Sequence, residues 1–485
     1  MPGSHPLVPP APTGPRTRRL LPPAAGVVAF LAFAAIGLAR WTAGLAGSYD
    51  LGIFAQAAKG WASGRGPVSD VRAPDYLLLR EHFSPVTALF APAWWVWPDA
   101  RALVVVQALL LAVAVAVVAR AAVRRLAGVP ATALTVGFAG SFGVLSAVRF
   151  DVHEVAFAVP LLALTCRALL DERPRAALAW AAPLVLVKED LGATVCAVAV
   201  VLWWRGHRRP AVAAAAVGVV GAVVAMATIA HFNTEGTSPF LASFTGGSST
   251  PAVPAGTRLA SVAVLLLVLL LTGGVVWVRS PLALLVVPTL LWRLASGNPL
   301  FWMGWVHYDL VLMPVVAFAL LDVLSRRRAP RGAPRWVRAG ALSCAVGTAV
   351  VLAVVHPPLA GVGAARGADV PAQARAATAD VPEGASLAAD NGTGPALVGR
   401  FDVRFWSEDV STRAQWLVLD TARSSFRAPV EGKLATLAAL RATPGVQVRR
   451  DGRFVVVRLP CEQTVRQLAP AGPGRPAPVW EGRCG

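Results

Sequence analysis

Charge is scarce in this chain, and lysine scarcer still. Charged residues make up 15% of the 485 positions, against 56% hydrophobic ones, and mean hydropathy is +0.59. Soluble domains carry about 25% charge, so a soluble globular protein is excluded and a polytopic membrane protein is indicated. Lys and Arg total 45, yet only Lys59, Lys188 and Lys433 are lysines. Cysteine is limited to five positions. Cys166, Cys196 and Cys344 lie in apolar runs and read as reduced packing residues. No internal repeat of fixed period is visible, and no tight ligand spacing of the HExxH kind.

What is present is a series of apolar runs, at about 24–46, 101–119, 130–148, 155–170, 176–187, 191–204, 211–230, 259–278, 281–295, 308–324 and 339–356. They predict about eleven spans. The net charge of +19 follows this pattern, which rejects a nucleic-acid partner as its cause. With the N-terminus inside, the inner connections collect Arg16, Arg18, Arg19, Arg120, Arg124, Arg125, Arg167, Arg173, Arg175, Arg205, Arg208, Arg209, Arg279 and the run SRRRAPRGAPRWVR. Their acids are only Asp171, Glu172 and Asp322. The outer connections carry nearly balanced charge. Basic residues stay on the cytoplasmic side of a membrane. This predicts a multi-pass plasma-membrane protein with a cytoplasmic N-terminus and an extracytoplasmic C-terminal domain.

The chain divides accordingly. Residues 1–22, Pro-rich and polar, read as a disordered cytoplasmic tail. Residues 23–356 form the membrane domain, with a long first outer loop at 47–100. In that loop GIFAQAAKGWASG suits a short interfacial helix. HFSPVTALFAPAWWVWP, too short and Pro-broken to span, suits a second one, its tryptophans at the headgroup level. Residues 357–369 are a Pro/Gly/Ala linker. Residues 370–485 read as a small α/β domain with a tail. There VQVRRDGRFVVVRLP predicts a hairpin turning at Asp451-Gly452. Cys461 and Cys484 fall on the oxidising side, where a disulfide between them would clip the tail to the domain.

The unusual polar residues fall in the outer connections: Asp50 in SYDLGIFAQ, Arg80, Glu81 and His82 in LREHFSP, and Arg149, Asp151, His153 and Glu154 in RFDVHE. GNPLFWMGWVHYD adds His307 and Tyr308. The stretch VLVKEDLGATV sets Lys188, Glu189 and Asp190 between apolar runs of about 12 and 14 residues. As helices these reach roughly 18 and 21 Å, against the 30 Å or so of a bilayer core. Charges recessed in this way are costly unless they pair or line a wet cavity. Lys188 can pair with its acidic neighbours or meet a phosphate as a point charge. An ordinary solvated turn is the competing reading. Three outer segments join His to nearby carboxylates, a donor set compatible with Zn²⁺ or Mn²⁺. A divalent metal therefore stands as an open expectation.

Together, YDLGIFAQ, KGWASGRG, EHFSP, FDVHE, KED, GNPLFWMGWVHY, VPEGASLAADNGTGPALVGRFDVRFW and WLVLD resemble a bacterial membrane family catalogued as domain of unknown function twenty seventy-nine. The resemblance covers most of residues 45–425. Glu154 departs from it, standing where the family usually has Pro. That family in turn is similar to GT-C glycosyltransferases, in which a carboxylate just after the first span is the catalytic base. The resemblance implies a GT-C-like fold, a polyprenyl-phosphate-linked sugar and membrane lipid as partners, and Asp50 as the base. Leu51 follows where those enzymes pair a second acid, so Asp50 acts alone or with Glu81 or Asp151 in space. Lys188, Arg80 or Arg149, with His82 or His153, would offset the charge of the leaving phosphate. A transporter and a non-catalytic envelope protein are the alternative readings.

Overall fold

The computed structural model describes residues 15–465, except 127, 234–235, 237–243, 245–252, 303–305, 327–368 and 408–411. It is mainly helical, with one small mixed sheet near the C-terminus. Among the described residues six helices are long and apolar enough to cross a membrane: Arg19–Thr42, Arg101–Arg125, Val129–Arg149, Arg208–Phe232, Ala255–Thr272 and His307–Ser325. The expected runs at 176–187, 191–204 and 281–295 are shorter apolar helices, Pro174–Leu186, Leu191–Trp204 and Pro281–Ala295. Two of the three change type along their length: Ala182–Leu186, beginning Ala-Pro, and Pro281–Val286 are 3₁₀ turns. Proline near the start of such a turn has no amide hydrogen to give to an α-helical ladder. The run at 155–170 begins as a 3₁₀ turn, Glu154–Phe157, and continues as the helix Ala158–Leu170. The run at 339–356, the linker at 357–368 and residues 1–14 of the expected tail lie outside the described residues, while residues 15–22 of that tail are helical, as the start of Pro15–Thr42.

The helices are not equivalent. In His307–Ser325 89% of the apolar window is buried, so this helix is the centre of the bundle. In Arg208–Phe232 and Ala255–Thr272 the figures are 22% and 17%, and several of their apolar side chains, Val219, Val223, Leu259 and Leu267 among them, face outward, while Leu265 and Leu269 are buried. A helix apolar on its outer face needs an apolar surrounding. In the first loop, Ile53–Ala62 is a largely buried helix, and Pro85–Val96 is a 3₁₀ turn followed by one and a half helical turns. Its Trp95 and Val96 are exposed.

The C-terminal domain is a five-stranded sheet in the order β2-β1-β3-β5-β4. β1 (Ser386–Ala389) lies parallel between β2 (Asp402–Phe405) and β3 (Thr412–Asp420). β5 (Phe454–Val465) runs antiparallel to β3 and to β4 (Gln447–Asp451). The β4–β5 hairpin forms as the alternating Val and Arg pattern predicts, but its two loop residues are Gly452 and Arg453, one position beyond the expected Asp451-Gly452, because Asp451 still pairs with Phe454 as the last residue of β4. Trp406, Leu417, Leu419, Leu437, Leu440, Val455 and Val457 form a core under the helix Val430–Arg441. Lys433, fully buried, donates to the carbonyls of Asp420 and Arg423 and pairs with Asp390 at 3.2 Å. The domain docks directly on the first loop. Gln56 Nε2 donates to the Val403 carbonyl (2.6 Å), Lys59 Nζ to those of Val398 and Phe401, and Arg375 pairs with Asp99 at 2.6 Å. Cys461 is disulfide-bonded. Cys484 lies outside the described residues, so its pairing with Cys461 remains a proposal.

Candidate functional site

The first transmembrane helix ends at Thr42, and the chain then makes a five-residue π-helical turn, Ser48–Gly52. Isolated π turns widen the backbone and occur often at functional sites. This one presents Asp50, whose side chain is 30% exposed. It opens on a cavity of about 240 Å³. The walls come from five separate parts of the chain: the π turn, the loop at 67–87, the turn at 153–154, Lys188, and the turn His307–Asp309. Tyr49, Asp50, Arg72, Glu81, His82, His153, Glu154, Lys188, His307 and Tyr308 all reach it, with Ile53, Phe54, Leu78 and Leu79 as apolar wall.

His153 is the neighbour of Asp50. Its Nε2 lies 3.2 Å from Asp50 Oδ1, and its Nδ1 lies 3.1 Å from the Asp151 carbonyl. Both partners are acceptors, so the ring is best satisfied by donating from both nitrogens, as the imidazolium. Burial works against that proton, but the hydrogen bond and charge of Asp50 raise His153 above the usual histidine range. The His307 ring stacks on His153 with centroids 3.5 Å apart. His307 Nδ1 is buried without a hydrogen-bond partner among the described residues.

Lys188, Glu189 and Asp190 point three ways. Lys188 Nζ faces the cavity and donates to Glu154 Oε1 at 2.6 Å, both groups buried. Burial alone would raise Glu154, but Lys188 holds its carboxyl at about 2, and it is a carboxylate. Glu189 instead holds the first loop: Oε1 lies 2.8 Å from His82 Nδ1, and Oε2 accepts from the Phe83 amide at 3.1 Å. Burial would lower His82, yet the charge of Glu189 raises it. Asp190 accepts from Trp292 Nε1 at 2.9 Å and so ties this turn to the helix Val287–Ala295. Sequence reasoning took these three charges as one cluster; the fold gives each a separate partner.

Other expected residues fall elsewhere. Arg80 is off the cavity wall, its guanidinium over the Tyr76 ring. Arg149 is off the wall too, at the end of the helix Phe142–Arg149. The second cation of the cavity is Arg72, which the sequence reading did not single out. It hydrogen-bonds both Glu81 and the Tyr49 hydroxyl. Asp151 lies behind the wall, accepting from the Gly47 amide at 2.7 Å. Burial, then the charge of Asp50, raise its carboxyl to about 7. Of the two candidates for a second acid beside Asp50, Glu81 is held by Arg72, and Asp151 is the one that feels the charge of Asp50. Behind His307 and Tyr308, the fully buried Arg293 pairs with Asp309 at 2.7 Å and fixes their turn. For the metal expectation, among the described residues no three His, Cys, Asp or Glu side chains come together as ligands of one ion.

Fold and site define a polytopic helical membrane protein with a polar, mixed-charge cavity and a sheet domain docked on its first loop. The family described as Predicted membrane protein (DUF2079) matches residues 42–452, most of the chain, and the protein belongs to it. A search of the curated proteins gives no match.

Proposed function

We propose that the protein is a GT-C-type glycosyltransferase of the plasma membrane. It moves a sugar from a polyprenyl-phosphate donor to an acceptor outside the cytoplasm. The N-terminus is cytoplasmic and the C-terminal domain extracytoplasmic, in keeping with the arginine-rich inner connections. One observation carries the reading: Asp50, Arg72, His82, His153 and Lys188, from four distant segments, line one cavity that also has an apolar wall.

In this reaction the acceptor hydroxyl loses its proton to Asp50 as its oxygen attacks the anomeric carbon. The bond from that carbon to the phosphate oxygen breaks, and the polyprenyl phosphate leaves with the electron pair. His153 engages Oδ1 of Asp50 and orients the carboxylate. Lys188, Arg72 and His82 offset the charge gathering on the phosphate. Glu189 keeps His82 in place, and Arg293 with Asp309 keeps His307 and Tyr308 in place.

A second reading is a non-catalytic envelope protein that binds the same lipid. What favours it is that Lys188 and Arg72 are already bonded to Glu154 and Glu81. Transfer of labelled sugar from a mixed pool of polyprenyl-phosphate sugars, by purified protein in lipid, separates the two. Transfer supports the enzyme. Binding of labelled donor with no transfer supports the second reading. Neither binding nor transfer contradicts both.

A further inference from the structure

The C-terminal ends of β1 and β3 point the same way, and the chain leaves them in opposite directions. After β1 it turns to β2 on one side; after β3 it passes through Val430–Arg441 to β4 on the other. Such a switch point is where open α/β sheets leave a crevice that takes a ligand. Here its acidic groups are spent internally. Asp390 accepts from the amides of Gly392 and Asp420 and pairs with Lys433, while Asp420 holds Arg453. What enters the crevice is the membrane domain's own chain. Arg423 donates to the Ala43 carbonyl at 2.8 Å. The Asn391 carbonyl accepts from the Ser48 amide (2.7 Å), and Asn391 Oδ1 accepts from the Tyr49 amide (3.0 Å).

Four consecutive residues are thus held from two sides: Gly47 by Asp151, Ser48 and Tyr49 by Asn391, and Asp50 by His153. The approach is close enough to exclude side chains. A Cβ on Gly47 would lie 2.7 Å from Asn391 Nδ2, and one on Gly394 would lie 2.1 Å from Ser48 Oγ.

We propose that Asn391 is a positioning residue for Asp50, and that the C-terminal domain is a fixed clamp on the 47–50 turn. For catalysis this rests on the transfer reaction proposed above; the clamp itself does not. The contacts between the sheet domain and this turn then go into the orientation of one carboxylate.

The test is amide hydrogen exchange on the full chain in lipid, with Asn391→Ala, Gly394→Ala and the conservative Asn391→Asp. Removing one hydrogen bond of this kind speeds local exchange by up to about tenfold. The clamp predicts such acceleration at Ser48–Gly52 in the first two variants, with β3 exchange unchanged. It predicts recovered protection at Tyr49 in Asn391→Asp, which keeps the Oδ1 acceptor. Unchanged exchange at 48–52 in both disruptive variants overturns the clamp. So does loss of protection in Asn391→Asp equal to that in Asn391→Ala. If the unmodified protein transfers no sugar, the reaction fails while the exchange result still decides the clamp. If it does transfer, the clamp predicts slower transfer in Asn391→Ala with donor binding retained, and unaltered transfer overturns the positioning role.

Discussion

Lys188 Nζ sits 2.6 Å from Glu154 Oε1 in a buried contact at the cavity wall, joining two segments 34 residues apart. Breaking a buried pair by removing one partner costs about 3–5 kcal/mol, because the other charge is left behind. Lys188→Met is therefore expected to destabilise the protein by that order, and Lys188→Met with Glu154→Gln by much less. Thermal unfolding of the unmodified protein, Lys188→Met, Glu154→Gln and the double variant in one detergent checks this. Equal losses in the single and double variants contradict it.

The turn holding Asp50 sets a pH dependence. Asp151 is raised from 3.8 to about 7, so its proton favours the folded state. That contribution is full below about pH 3.8 and is lost as pH rises through 7. His153, also raised, acts in the same direction: its contribution is full below 6.5 and lost above its folded value. Glu154, lowered from 4.5 to about 2, matters only in acid. Stability is expected to fall from pH 5 to pH 8, and Asp151→Asn to flatten the fall. Unfolding midpoints across that range test both, and a rise with pH contradicts the account.

Glu189 binds the first loop twice, through His82 and the Phe83 amide. Glu189→Gln keeps the shape and removes the charge. The expected effect is loosening of residues 78–84 by about 1–3 kcal/mol, read as faster hydrogen exchange there. Exchange at Arg101–Arg125 is expected to stay unchanged. Uniform acceleration along the chain would instead indicate a global loss of stability.

Gly47→Ala would press a methyl group onto Asn391 and Asp151. Such overpacking costs about 1–3 kcal/mol. The variant is expected to lower the unfolding midpoint and, if the transfer reaction holds, the transfer rate. A fully stable, fully active Gly47→Ala protein would show that the turn relaxes without penalty.

Much of this was legible in the sequence because hydrophobic length and charge sign are local properties. The long spans, the shortness of the helices around Lys188–Asp190 and the β4–β5 hairpin each follow from one window of residues. The cavity was legible in part, since recessed charges must pair or meet water, and most of the residues so chosen do line it. Arg72 was missed because VRAPDY has the composition of any polar loop. Arg80 was preferred because it adjoins EHF, yet in the fold it stacks on Tyr76. The separate partners of Lys188, Glu189 and Asp190 were hidden for a related reason. Each bond spans between 34 and 107 positions, and no periodicity records such pairings. The Asn391–Tyr49 bond, across 342 positions, is hidden in the same way.

The most direct measurement is sugar transfer by Asp50→Asn beside the unmodified protein, both in lipid and both folded by the same unfolding assay. A positioned general base is worth about 10²–10⁴ in rate. The account predicts a loss of at least about 100-fold with donor binding retained. Transfer by Asp50→Asn at the unmodified rate would contradict it.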